Sequence, residues 1–191
     1  IEPVIGLDLA QGMLAFCQKN QPKQRYLCCD AENMALADNS IDLIFSSLAL
    51  QWCFQLEQLF SEIKRIAKPG AHIHIATLLP GTLNELKQAW ASVDNQPHIN
   101  EFLSFETWKS AVEKNQFSNI TLERKTFQMF YQQPIELLKE LRTLGAHNIN
   151  AKPVSKSKLN QMLSYYQQNA RHENSTNVVA SYEVLFLTLK V

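Results

Sequence analysis

Asp8 and Asp30 lie 22 residues apart, and each closes a short apolar stretch. Residues 3–8 (PVIGLD) read as a strand ending in a carboxylate, followed by Met13, Leu14 and Cys17 at helical spacing. An ionised carboxylate offers two acceptor oxygens, so at a strand's carboxyl end it can take both hydroxyls of a ribose. The same residue can instead cap the next helix, and Asp8 alone does not choose between the two. Residues 25–29 form the next strand, and Asp30-Ala31-Glu32 turns off its end. Two acids on successive strand ends weigh more than either alone. A third strand end follows in residues 41–52, IDLIFSSLALQW, whose apolar run reads as a strand buried on both faces. It presents Ser46, Ser47, Gln51 and Trp52 at its carboxyl end, where ligands of open α/β sheets bind. His72 and His74 alternate onto one strand face and could share a metal ion. No third ligand lies within reach by spacing, so a solvated pair and no metal site are expected.

The bulk composition sets outer bounds. At 191 residues and 46% hydrophobic content the chain can bury one core. Its formal net charge is zero, which gives no footprint for nucleic acid. The charge is unevenly spread, however. Residues 1–138 hold eleven Lys/Arg against fifteen Asp/Glu, and residues 139–191 hold seven against three. Four cysteines without a CxxC or a histidine at metal spacing read as reduced thiols of a cytoplasmic protein. No apolar run approaches the ~20 residues of a membrane span, and no signal peptide is evident.

The elements that must position these residues follow in order. Residues 56–67 place Leu56, Leu59, Phe60, Ile63 and Ile66 on one helical face, with Lys68-Pro69-Gly70 as the stop and Gly70 as a left-handed cap. Residues 71–79 form a strand. Thr82-Leu83-Asn84-Glu85 reads as a capping box opening a helix to about residue 93. A helix over 104–115 turns Phe105, Trp108 and Val112 inward, and residues 119–131 alternate as a long strand. Helices over 135–144, after Pro134, and over 155–168 precede a last strand at 178–191. The expected fold class is α/β. No linker divides the chain, so 1–191 is read as one domain with residues 134–172 as a helical insert between the last two strands.

Three stretches carry a resemblance to a known family. They are Leu48-Ala49-Leu50-Gln51-Trp52-Cys53; Glu85-Leu86 with Ala89-Trp90, Val93-Asp94, Pro97-His98, Asn100 and Phe102; and Leu141-Arg142-Thr143-Leu144-Gly145-Ala146. Together they resemble the class I S-adenosylmethionine-dependent methyltransferases that esterify malonyl-acyl-carrier protein in biotin synthesis, the BioC family. The resemblance implies a Rossmann-like, mostly parallel sheet with an antiparallel edge strand. It also implies S-adenosyl-L-methionine as cofactor, held by Asp8, Leu9, Met13, Asp30, Ala31, Glu32, Ser47 and Leu48. It implies an acceptor site including Gln51, Trp52, Lys139 and Arg142. Its reaction moves a methyl group from a sulfonium to a carboxylate that is already ionised at neutral pH. No catalytic acid or base is therefore expected, and alignment and exclusion of water must do the work. Asp42 is given a structural task at its strand's start, and His98 a loop-anchoring one. The partner is malonyl-acyl-carrier protein, or malonyl-CoA, with an acidic carrier meeting the basic residues between 139 and 171: Lys139, Arg142, Lys152, Lys156, Lys158 and Arg171. A monomer is expected, with neither nucleic acid nor membrane as partner. A methyltransferase for another small metabolite and a non-catalytic binding module stay open. A nicotinamide site is disfavoured because there is no GxGxxG.

The departure from the family lies at the start. Family members carry, ahead of the residue matching Ile1, a first strand and a Gly-rich cofactor loop; this chain has five glycines and no GxG. The implied strand order, 3-2-1-4-5-7-6, puts that first strand between residues 4–8 and 41–46. The expectation is a truncated methyltransferase domain with the flanking strands near their usual places, an empty cofactor site and no methyl transfer by these 191 residues.

Overall fold

The computed structural model describes residues 3–145, 154–172 and 175–191. They form two compact units: residues 1–77, 104–123 and 186–191 make the first, and residues 78–103 and 124–185 the second.

In the first unit β1 (Ile5–Asp8) pairs in parallel with β2 (Arg25–Cys28), joined by α1 (Gln11–Asn20). β3 (Ile41–Ser47) pairs in parallel with β4 (Ala67–Leu78), joined by α2 (Leu56–Ile66). Among the described residues β1 and β3 do not pair, so the strands fall into a two-stranded sheet β1-β2 and a four-stranded sheet β3-β4-β6-β5. Here β5 is Ser118–Tyr131 and β6 is Val178–Lys190. These neighbours agree with the expected order. Gly70 N–H donates to Val191 C=O and Val191 N–H to Ala71 C=O, which sets β6 antiparallel to β4.

The helical stripe on α2 is buried as expected, with Leu59, Phe60, Ile63 and Ile66 all at most 2% exposed. α4 (Phe105–Lys114) packs against it, and Phe60 meets Trp108 and Phe117 edge-on, centroids 5.9 Å apart in each case. Ser104 caps α4 by accepting from Thr107 N–H at 3.1 Å.

Two expectations fail here. Lys68-Pro69-Gly70 does not cap α2, because Ala67 already turns into β4. The register jumps from Ile41↔Ala67 to Leu43↔His72, so these residues form a bulge, and Gly70 takes φ +83° inside it. A left-handed position suits glycine in a bulge as well as in a cap. Nor is β3 buried on both faces: Leu43 is 38% and Phe45 73% exposed. The register places Leu43 and Phe45 beside His72 and His74, and Ile44 beside the fully buried Ile73. One face of this pair is core and the other meets solvent. The two imidazoles stack there at 6.3 Å, and no cluster of metal-ligating side chains exists among the described residues.

In the second unit α3 (Asn84–Ala91), α5 (Pro134–Thr143) and α6 (Lys156–Asn169) bury Leu86, Trp90, Leu137, Leu141, Met162 and Tyr166 together. The capping box at 82–85 is absent. Leu83 holds φ +55°, and no side chain caps α3. Thr82 Oγ1 instead donates to Glu183 C=O at 3.2 Å and accepts from Glu183 N–H at 3.0 Å. Glu85 accepts from Ser181 N–H at 3.0 Å and from the Ser181 hydroxyl at 2.5 Å. Both side chains stitch the helix start to β6. In chain order α5 and α6 lie between β5 and β6.

Candidate functional site

Parallel pairing with Asp8 opposite Cys28 sets the first two acids on neighbouring strand ends, and Cys29 N–H donates to Asp8 C=O at 3.2 Å. Asp8 Oδ1 accepts from Ala10 N–H at 2.7 Å, closing a turn into α1. The N-cap of α1 is Ala10, with no side chain capping it, so Asp8 closes the turn ahead of the helix and is not its cap; that turn uses one oxygen of the carboxylate. Asp30 does the same one strand over, its Oδ1 accepting from Glu32 N–H at 2.9 Å.

The loop after the third strand is tied to the second of these turns. Glu32 Oε1 accepts from Gln55 N–H at 2.9 Å, tying the acidic turn to the residue that opens α2. Cys53 lies close enough to feel both acids. Its thiol is pushed up to about 11, first by burial and then by the charges of Glu32 and Asp30. Between them runs a 3-10 turn, Leu50–Trp52, that periodicity could not reveal. It begins where Leu48 takes φ +52° and donates to Ala76 C=O at 2.8 Å. Gln51 is buried, its Nε2 donating to Leu48 C=O at 2.6 Å, so its amide fixes the turn.

Of the expected cofactor residues, Asp8, Leu9, Met13, Asp30, Ala31, Glu32, Ser47 and Leu48 all lie at or just beyond the carboxyl ends of β1, β2 and β3. Leu9, Met13 and Leu48 expose apolar side chains there, and Trp52 is half exposed. Lys139 and Arg142 belong to the second unit, on the exposed side of α5. Of the basic residues toward 171, Lys156 is exposed, whereas Lys158 Nζ donates to Asp94 at 3.0 Å. Arg171 Nε donates to Gln167 C=O at 2.9 Å. Lys152 and the family-like Ala146 lie outside the described residues.

His98 is anchored as expected: Nε2 meets Asp94 at 2.7 Å, and its ring stacks on Trp90 at 3.9 Å. Asp42 accepts from Lys68 Nζ at 2.8 Å across β3 and β4, a structural pairing. The sequence reading missed Arg65, which reaches the loop between β2 and β3. Its only signal was Glu62 three residues earlier, a spacing shared by many exposed helix pairs.

Residues 2–75 match the family model for a methyltransferase domain. Among solved structures, an S-adenosylmethionine-dependent methyltransferase from Mesorhizobium loti aligns with 98% of this chain and 80% of its own, at TM-score 0.54 and 16% identity. A phosphoethanolamine N-methyltransferase from Haemonchus contortus aligns with 98% and 43%, at TM-score 0.58 and 22% identity. These establish the class I methyltransferase fold. Among curated relatives, the biotin biosynthesis bifunctional protein BioHC of Cellvibrio japonicus is 40% identical over 97% of this chain and 38% of its own. The malonyl-acyl-carrier protein O-methyltransferase of Methylococcus capsulatus is 37% identical over 76% of this chain and 54% of its own. The chain thus spans well under two thirds of both. A third relative, from a Marinomonas species and named for the same activity, is 31% identical over 96% of this chain and 69% of its own. Matched across nearly its whole length, the chain belongs to the malonyl-acyl-carrier protein O-methyltransferase family.

Proposed function

We propose that the protein methylates the free carboxylate of malonyl-acyl-carrier protein, or malonyl-CoA, with S-adenosyl-L-methionine, an early step of biotin synthesis. The observation that carries this reading is that Asp8 and Asp30 close turns on neighbouring strand ends while Glu32 bonds to Gln55 at the start of α2, with Met13 and Leu48 exposed. The donor set fits the cofactor. A carboxylate offers two acceptor oxygens to ribose hydroxyls or an adenine amine, and the apolar side chains suit an adenine face. Asp8 would hold the ribose, Asp30 and Ala31 the adenine side, and Ser47 and Leu48 would border the reacting end. When bound, the cofactor supplies an electrophilic methyl group. The chain's own task is to orient the acceptor and keep water out, since an ionised carboxylate needs no base. Gln51 and Trp52 are the acceptor-side candidates on the first unit. Arg142, with Lys139 one turn away, could offer a bidentate fork to a carboxylate. α5 and α6 are read as the substrate-covering insert.

Four free cysteines suit a reducing compartment, and no described helix is long and apolar enough to cross a membrane. We place the protein in the cytoplasm as a monomer. Two measurements on the intact protein test the function. Methyl transfer should be efficient with malonyl thioesters and weak with free small acids; the reverse would assign another acceptor. Asp8→Ala should weaken cofactor binding by about 1.5–3 kcal/mol, the range for a charged hydrogen-bond partner. Unchanged affinity by calorimetry would remove Asp8 from the site.

A further inference from the structure

We propose that Arg65 is a positioning residue for the adenosine side of the cofactor pocket, acting through the loop of residues 29–40. This rests on the reading above, in which the turn at 30–32 borders the cofactor.

The argument begins with donor counting. A guanidinium has five N–H groups in a planar fork, and all five of Arg65 are used. Nε donates to Glu62 Oε1 at 2.8 Å and Nη2 to Glu62 Oε2 at 2.8 Å. Nη2 also donates to Met34 C=O at 2.8 Å. Nη1 donates to Leu36 C=O at 2.8 Å and to Asp38 Oδ1 at 2.6 Å. Glu62 Oε2 additionally accepts from Met34 N–H at 2.8 Å. The backbone joins in: Asn39 N–H donates to Arg65 C=O at 2.9 Å and Ser40 N–H to Ile66 C=O at 2.8 Å. Thus the last turn of α2 grips residues 34–40 through both side chains and main chain.

At its other end the same helix grips residue 32, through Gln55 N–H on Glu32. An 11-residue helix is about 16 Å long, so α2 works as a splint along the loop. A connection without regular structure is otherwise free to wander, and a binding turn within it would share that freedom. Holding both ends fixes the turn at 30–32 against the 3-10 turn before α2. A surface ion pair would need only Glu62. A guanidinium saturated by two backbone carbonyls and two carboxylates is placed to define a loop.

Lysine keeps the charge but has three donors and no fork, so Arg65→Lys is the discriminating variant. In the intact protein we expect Arg65→Lys to weaken S-adenosylhomocysteine binding in calorimetry about five- to twentyfold. The KM for S-adenosylmethionine should rise with it, while kcat at saturating cofactor and the KM for the acceptor stay within about twofold. In the ligand-free protein, amide exchange at Asn39 and Ser40 should accelerate while that of Ile73 and Ile75 in β4 does not. If Arg65→Lys does not fold, Asp38→Ala removes one exposed partner and should act in the same direction by about two- to threefold. Faster exchange with unchanged cofactor affinity would overturn the proposal and leave a purely structural brace. Asp8→Ala separates the two readings. Lost binding in Asp8→Ala beside normal binding in Arg65→Lys sinks only the positioning role. Failure of the unsubstituted protein to bind S-adenosylhomocysteine sinks both.

Discussion

Asp94 shows how one side chain can organise a loop. It accepts from His98 Nε2, Lys158 Nζ and Gln96 N–H, while the His98 ring lies flat on Trp90. The bonds from His98, and next those from Lys158 and Gln96, hold the carboxyl well below the usual carboxylate range. A carboxyl depressed in the folded state contributes stability that is fully present above its unfolded value, about 3.9, and is lost as pH falls below it. Asp94→Asn should therefore cost stability at neutral pH and flatten the loss of melting temperature between pH 5 and pH 2. A variant that keeps the parent's acid slope would show that other carboxylates set it. The motif holding Asp94, Pro97 and His98 was visible in the sequence because those residue types recur at family spacing. Its job as a stacked, hydrogen-bonded clasp was visible only as loop chemistry. That Lys158 would spend its charge here was not visible at all, since the two lie 64 residues apart.

Among the elements, helices and strands were legible wherever apolar period settled them. The five buried positions of α2 and the alternation of β4 are the clearest instances. What misled was local chemistry with two possible partners. Thr82 and Glu85 have the spacing of a capping box, yet β6 arrives with Glu183 and Ser181 and takes both side chains. Long-range pairing won over the local cap because Thr82 is buried, only 4% exposed, where an unpaired Glu183 N–H would be costly. Thr82→Ala should destabilise the protein by about 1–3 kcal/mol, with the loss felt along β6. Thr82→Ser, which keeps the hydroxyl, should recover most of it in denaturant titrations. If serine does no better than alanine, the missing methyl group rather than the hydrogen bonds is responsible. The same kind of competition explains Lys68-Pro69-Gly70, which reads as a helix stop and serves as a strand bulge.

At the scale of the molecule, the candidate site was legible as three acidic or polar strand ends because strand ends are punctuated by residue type. The basic surplus after residue 139 was legible by counting. For an acidic carrier, exposed cations chiefly speed the encounter, an effect that fades with salt. The structure narrows the test to Lys156, because Lys158 is paired with Asp94 and reversing it would break the loop clasp. Lys156→Glu should raise the KM for a carrier-bound substrate about two- to fivefold at low salt and leave a small thioester unaffected. Equal changes for both substrates would mean that this lysine is only a solvated charge.

β6 also carries a consequence in time. Its residues 178–185 belong to the second unit and 186–190 to the first. The bonds from Thr82 to Glu183 close over 101 residues, and those from Glu85 to Ser181 over 96. During synthesis β4 leaves the ribosome long before the strand it must pair with, at about 5–20 residues per second. For that interval the second unit has no β6, and the first waits for its last strand beside β4. Neither can finish early. Nascent chains stalled before residue 178 should therefore be protease-sensitive throughout, and protection should arrive in one step as β6 emerges.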